Sequence, residues 1–324
     1  MMIGPSTSAD SWQTASAKMA IRMLLAACLL MLSGCLGAAP GTASQSEHGA
    51  ERVYTDPKAL ALAIAAERND VAEVRRLMKE EKVNPDQFFG VGGDEGLPLV
   101  AWPVITKSPE GLKALLESGA NPNAAMLHPA QHDERFKGRH INNAMVWAAK
   151  ADDSIYLKLL LDHGGDPNTR NSNGETLMFQ ARVMGDGWEK VKLLVERGAD
   201  VNTPDGGGWR PIVELYARFA DFQQVYWLLE KGADPTLQYM GGAAKEPVVH
   251  RNDSRTIDYI FWYPVRSGYS IWQQKCQAWL LKRGFRRPPM SAQLREEREK
   301  FGRPTDEAQV PLPDLRILEQ EVMP

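Results

Sequence analysis

The phrase VKLLVERGADVN at residues 191–202 returns as LKALLESGANPN at 112–123, LKLLLDHGGDPN at 157–168 and VYWLLEKGADPT at 225–236. The phrase glycines, Gly119, Gly164, Gly198 and Gly232, stand 45, 34 and 34 residues apart. A weaker copy, VRRLMKEEKVNPD at 74–86, precedes them, and CQAWLLKRGF at 276–285 follows. A period of this length commits a chain to repeated supersecondary units, because one unit cannot bury its apolar face alone. Each phrase reads as the end of a helix. Val191, Leu194 and Val195 fall at helical spacing and predict one buried stripe. The glycine supplies the left-handed conformation that stops the helix, and Asp or Asn with a following Pro turns the chain.

A second pattern opens the units: GLPLVAW at 96–102, GETLMFQA at 174–181 and GWRPIVEL at 208–215. These are turn residues leading into a short helix. Two short helices per roughly 33 residues, closing on GADxN, resemble the ankyrin repeat. The resemblance covers residues 56–285 in about six units. It implies an all-α solenoid of helix-turn-helix units with two extended finger-loop insertions, built to bind another protein. The chain departs from the family at the histidine of its TPLH tetrad. Val100, Val146, Phe179 and Val213 stand near that place, so apolar packing is expected where a hydrogen-bond network would be. Polar Glu67, Arg68 and Asn69 suit the first unit to serve as an N-terminal cap.

Outside the repeats the chain changes character. Lys18 and Arg22 precede the apolar run MLLAACLLML at 23–32, followed by SGC. A basic start, a short apolar run and small residues make an export signal, and ten apolar residues are too few for a membrane span, which needs roughly 20. LSGC at 32–35 resembles the lipobox of bacterial lipoproteins, which implies lipid on Cys35; an ordinary secretory signal with a chance cysteine is the alternative. Leu36, where an aspartate would retain such proteins at the inner membrane, implies the periplasmic face of the outer membrane. The expected organisation is a signal at 1–34, a flexible tether at 35–55, repeats at 56–285 and a polar cap or tail at 286–324. Within that tail, SAQLREEREKF at 291–301 suits a capping helix. Once Cys28 is removed and Cys35 lipidated, only Cys276 remains, which excludes an internal disulfide and reads as a core residue.

Composition excludes some chemistry. A formal charge of -3 gives no basic excess for nucleic acid. The signatures GxSxG, HExxH, CxxC and the P-loop lysine are absent, so neither an enzyme nor a cofactor is expected. The glycines of GVGGDEG at 90–96 read as a hairpin turn, not a phosphate cradle. His128, His132 and His140 share one loop; it reads as an exposed polar insertion, with zinc the alternative were the loop helical. The basic run KRGFRR at 282–287 suits a helix C-terminus, with lipid phosphate or an acidic partner as the alternative.

The insertions at 124–141 and 237–255 carry the functional expectation, because insertions in repeat arrays gather on the binding face. Arg135, Phe136, Trp209 and Tyr239 stand on finger loops and belong to the residue types that dominate hot spots. Lipid-anchored ankyrin proteins of this size resemble immunity partners of type VI secretion phospholipase effectors. That resemblance implies a monomer, held at the membrane, that inhibits a secreted phospholipase toxin. The alternative is a periplasmic accessory protein that supports another enzyme, such as an oxidative-stress enzyme.

Overall fold

The computed structural model describes residues 46–90, 96–135, 137–182, 185–204, 210–237, 255–265 and 271–319. It falls into two compact units, Met1–Glu51 and Arg52–Pro324. In the first, the Ser46 hydroxyl accepts the backbone N–H groups of His48 and Ala50 at 3.1 and 2.9 Å.

Among the described residues the second unit holds thirteen α-helices, twelve of them in six pairs. The pairs are α1 (Pro57–Glu67) with α2 (Val71–Lys79), α3 (Trp102–Ile105) with α4 (Pro109–Glu117), and α5 (Ala144–Lys150) with α6 (Ile155–Asp162). They continue as α7 (Leu177–Arg182) with α8 (Gly187–Glu196), α9 (Ile212–Arg218) with α10 (Phe222–Glu230), and α11 (Thr256–Trp262) with α12 (Ile271–Lys282). A last helix, α13 (Ala292–Lys300), follows. In a two-stranded ribbon, β1 (Phe88–Gly90) runs antiparallel to β2 (Gly96–Pro98), with Phe88 opposite Pro98 and Gly90 opposite Gly96; residues 91–95 of the glycine run between them lie outside the described residues.

Local chemistry sets the helix ends. Asp56, Asp70 and Asn143 each accept the backbone N–H three residues on, and Pro57 follows Asp56 where a missing N–H does no harm. At the other end Gly119, Gly164, Gly198 and Gly232 have φ between +87° and +104°. There the next residue's N–H closes on the carbonyl five positions back, as Ala199 does on Leu194 at 2.9 Å. In the weak first copy Lys82 takes that turn with φ +55°.

Each second helix buries residues four and seven positions before its glycine. Leu112 with Leu115, Leu157 with Leu160, Val191 with Leu194, and Val225 with Leu228 are all 0% exposed. First helices stack on first (α1, α3, α5, α7; α9 on α11), and second on second (α2, α4, α6; α10 on α12). At roughly 1.5–3 kcal/mol for a fully buried aliphatic side chain, this seam is the main cohesion of the array. In the sixth unit Gln277 takes the valine's place and donates to the Ile260 carbonyl at 2.9 Å, so the seam stays satisfied.

The closing asparagine of each phrase joins one unit to the next. Asn123 Nδ2 donates to the Gly164 carbonyl at 2.8 Å, and its Oδ1 accepts the Asp166 N–H at 2.7 Å. Asn168 repeats this on Gly198 and Asp200, and Asn202 on Gly232 and Asp234. The fourth phrase ends in Thr236, whose hydroxyl turns back to Asp234 at 2.7 Å, and the ladder stops there.

Several expectations are corrected. The packed body begins before Asp56: Val53 and Tyr54, placed in the tether, are buried, with the Tyr54 ring edge-on to Phe89 and Trp102. Glu67 and Asn69 do not form an outward polar cap. Glu67 accepts the Trp102 indole N–H at 3.1 Å and Asn69 the Gly111 N–H at 2.8 Å, so both tie the first unit to the second. Val195 is half-buried; the fully covered positions on α8 are Lys190, Val191 and Leu194. At the tetrad position Val100, Val146 and Val213 are fully buried, whereas Phe179 is only half-buried.

The C-terminal segment docks. Leu294 and Arg298 of α13 are buried, and Arg298 donates to the Trp262 carbonyl at 3.1 Å. Arg287, from the basic run, lies 4.8 Å over the Trp262 ring and donates to the Val310 and Glu307 carbonyls. That run therefore holds the tail as well as standing beyond a helix end. Val310 and Ile317 are buried, while Leu312 and Leu315 are exposed. Cys276 is a buried free thiol, its pKa pushed up by burial.

Candidate functional site

The finger loops follow from the same turn chemistry that ends each unit. In the insertion at 124–141 the chain runs out and back: Leu127 pairs with His140 across an antiparallel bridge, His128 N–H donates to Arg139 at 2.8 Å and Ile141 N–H to Met126 at 2.9 Å. Gln131 closes the tip, giving its amide to the His128 and Arg139 carbonyls and accepting the Gly138 N–H at 2.7 Å. The next finger is shorter. Arg170 pairs with Thr176, and the Asn171 side chain accepts the N–H groups of Asn173 and Glu175. Ser172 N–H donates to Asn142 at 3.0 Å, which fixes one finger against the other.

Between the two fingers lies an open cleft of about 540 Å³. Asn123, Arg139, His140, Asn168 and Arg170 stand on its walls. Both arginines close on the turn at Gly174. Arg170 donates to the Gly174 carbonyl at 2.6 Å and to the Pro204 carbonyl at 3.1 Å. Arg139 donates to the Ser172 carbonyl at 3.4 Å, and its guanidinium carbon is 3.3 Å from where a Cβ on Gly174 would stand. Gly174 has φ +81°, so the turn both needs a glycine and gives the Arg139 head its room.

Of the residues the sequence singles out, Arg135 is described. It is 78% exposed on the finger and paired with Asp133, whose carboxyl it holds down to about 2. Cys35, Phe136, Trp209 and Tyr239 lie outside the described residues, as does most of the insertion at 237–255. The histidine loop is not helical, so His128 and His132 do not share a helix face: His128 is buried with Nδ1 accepting the Ala130 N–H, while His132 and His140 are exposed. Among the described residues no three His, Cys, Asp or Glu side chains are grouped to hold a metal ion, and no helix is long and apolar enough to cross a membrane. Sequence reading passed over Arg139 and Arg170. Each is one basic residue in a polar loop, and only the shared turn at Gly174 brings them together.

Residues 145–239 match the family model for ankyrin repeats in three copies. Over 127 residues the chain is 32% identical to Protein PhlB of Serratia liquefaciens, a stretch covering 39% of this chain and 48% of that protein. The chain thus spans about half the length of this curated relative. Two solved structures are similar, each at 21% identity. The ankyrin repeat domain of Bcl-3, a member of the IkappaB family, aligns with TM-score 0.48 over 70% of this chain and 86% of that one. EF0377, an ankyrin repeat protein, aligns with TM-score 0.43 over 61% and 89%. With its paired helices, glycine stops and matched repeats, the fold is an all-α ankyrin-repeat solenoid, an architecture that serves protein interaction.

Proposed function

We propose that this chain is a membrane-anchored, periplasmic protein-binding module that inhibits a secreted antibacterial phospholipase. One observation carries the binding part: two successive fingers, one lengthened by an insertion, are locked to each other and to a stacked helical body. A surface fixed in this way loses little conformational entropy when a partner docks. An inhibitor of a toxin must hold it at about nanomolar strength, near -12 kcal/mol, chiefly through slow dissociation. The lipobox LSGC and the export signal before it support the anchor, which would keep the inhibitor at the membrane a lipase attacks.

Co-expression with a periplasm-directed phospholipase toxin from the same genome tests the reading. Growth is expected to be rescued by the intact chain and lost when Arg135, Phe136, Trp209 and Tyr239 are all replaced by alanine. Absence of rescue by the intact chain contradicts inhibition; undiminished rescue by the fourfold variant contradicts these residues as anchors. If deleting the gene instead abolishes the activity of a neighbouring enzyme, the accessory role replaces the inhibitory one.

A further inference from the structure

We propose that the cleft between the fingers at 124–141 and 170–176 seats an acidic segment of the partner protein, its carboxylates received by Arg139 and Arg170. The inference rests on the protein-binding reading and adds to it the chemistry of what is bound. Two guanidinium groups converge on the single turn at Gly174, one held by the Ser172 carbonyl and the other by the Gly174 and Pro204 carbonyls. Among the described residues no carboxylate pairs with either, whereas Arg135, on the same finger, is engaged by Asp133. A guanidinium carries five N–H donors, and backbone carbonyls engage only part of each set here. The remainder of each fork is left for a carboxylate, the group it matches in geometry and charge. The exposed imidazole of His140 adds a further donor on the same wall.

The cleft is also preformed. Asn123 and Asn168 on its walls are rungs of the inter-unit ladder, and Ser172 ties the fingers together. Its volume of about 540 Å³ admits a few side chains. A nucleic-acid or polyphosphate strand is the poorer occupant. Such a ligand needs a run of cations along its path, while this cleft offers two arginines and the whole chain carries -3. One or two carboxylates on a protein segment match two converging arginines.

The test uses the purified full chain in detergent and a fluorescently labelled, end-blocked hexaglutamate peptide, read by anisotropy. Saturable binding is expected, weakened roughly tenfold or more in the Arg139→Gln/Arg170→Gln variant. The Lys158→Gln variant, changed on the exposed face of α6 away from the fingers, should bind like the parent, and circular dichroism should show all three equally folded. No binding by the parent, equal binding by the double variant, or tighter binding of inorganic phosphate or a DNA oligonucleotide overturns the proposal. Crosslinking in cells separates this from the broader reading. If the parent and the double variant capture a partner protein equally, the scaffold reading stands and the carboxylate cleft falls. If the parent captures none, the protein-binding reading itself fails.

Discussion

Gly111→Ala is expected to lower the stability of the repeat body by about 3 kcal/mol or more, the upper range for overpacking. Gly111 lies in the first turn of α4, where that helix presses on the end of α1. An added Cβ would stand 1.9 Å from the Ala66 carbonyl oxygen and 2.7 Å from its carbon. Both are backbone atoms of a helix end that Glu67 and Asn69 tie to the second unit, so no side chain can swing aside. The helices must separate, which loosens the first unit from the array. Gly119→Ala is the control. Its φ is +104° but nothing lies within 4 Å of the new methyl, so only the conformational cost of about 1 kcal/mol is expected. Urea unfolding of both variants separates collision from backbone strain. Equal losses would mean that the close approach of α4 to α1 is not there.

Lys190→Met should cost about 2–4 kcal/mol although it replaces a charge with an apolar group of similar length. Lys190 is 0% exposed. Its ammonium donates to the Ala149 carbonyl at 3.1 Å and to that of Ala151, both at the C-terminal end of α5 in the preceding unit. A cation there meets the negative end of the helix and satisfies carbonyls that no later turn can reach. Burial lowers the lysine pKa, opposed by Asp186 and Asp152. Methionine fills the space but leaves those carbonyls buried without a donor. Lys192→Met, on the half-buried flank of the same helix, loses an ion pair with Glu189 and a cation contact 6.0 Å from the centre of the Trp188 ring, and should change stability by less than about 1 kcal/mol. Thermal unfolding of the two variants checks the contrast, and comparable shifts would contradict it.

These two sites mark where the sequence stops being readable. Gly111 and Lys190 occupy the same register, each eight residues before its stop glycine, and each faces the end of the preceding unit's first helix. One unit meets that end with no side chain at all and another with a long cation. Helical periodicity separates apolar from polar positions and has no access to the partner across the interface, so it counts Lys190 as a surface residue. What depends on local chemistry was legible: the unit length, the stop glycines with their positive φ, and the leucine and valine seam. The docked tail was not, because apolar spacing does not announce it. Arg287 and Arg298 hold it through backbone carbonyls, and Ile317 packs where Leu312 and Leu315 do not. At the candidate site the insertion at 124–141 was visible as excess length. The pairing of Arg139 with Arg170 was not, because a full repeat separates them and only the Gly174 turn joins them.

The proposed role, presentation of the finger loops to another protein, can be tested in the cell. Site-specific photocrosslinking in living cells addresses it directly, with a photoreactive residue placed in turn at Arg135, Lys137 and Arg170 on the fingers and at Lys158, Glu189 and Gln223 on second helices. All six positions are exposed. One discrete crosslinked species is expected from the finger positions and none from the second helices. Crosslinks confined to the second helices, or none from any position in cells that produce the partner, would contradict it.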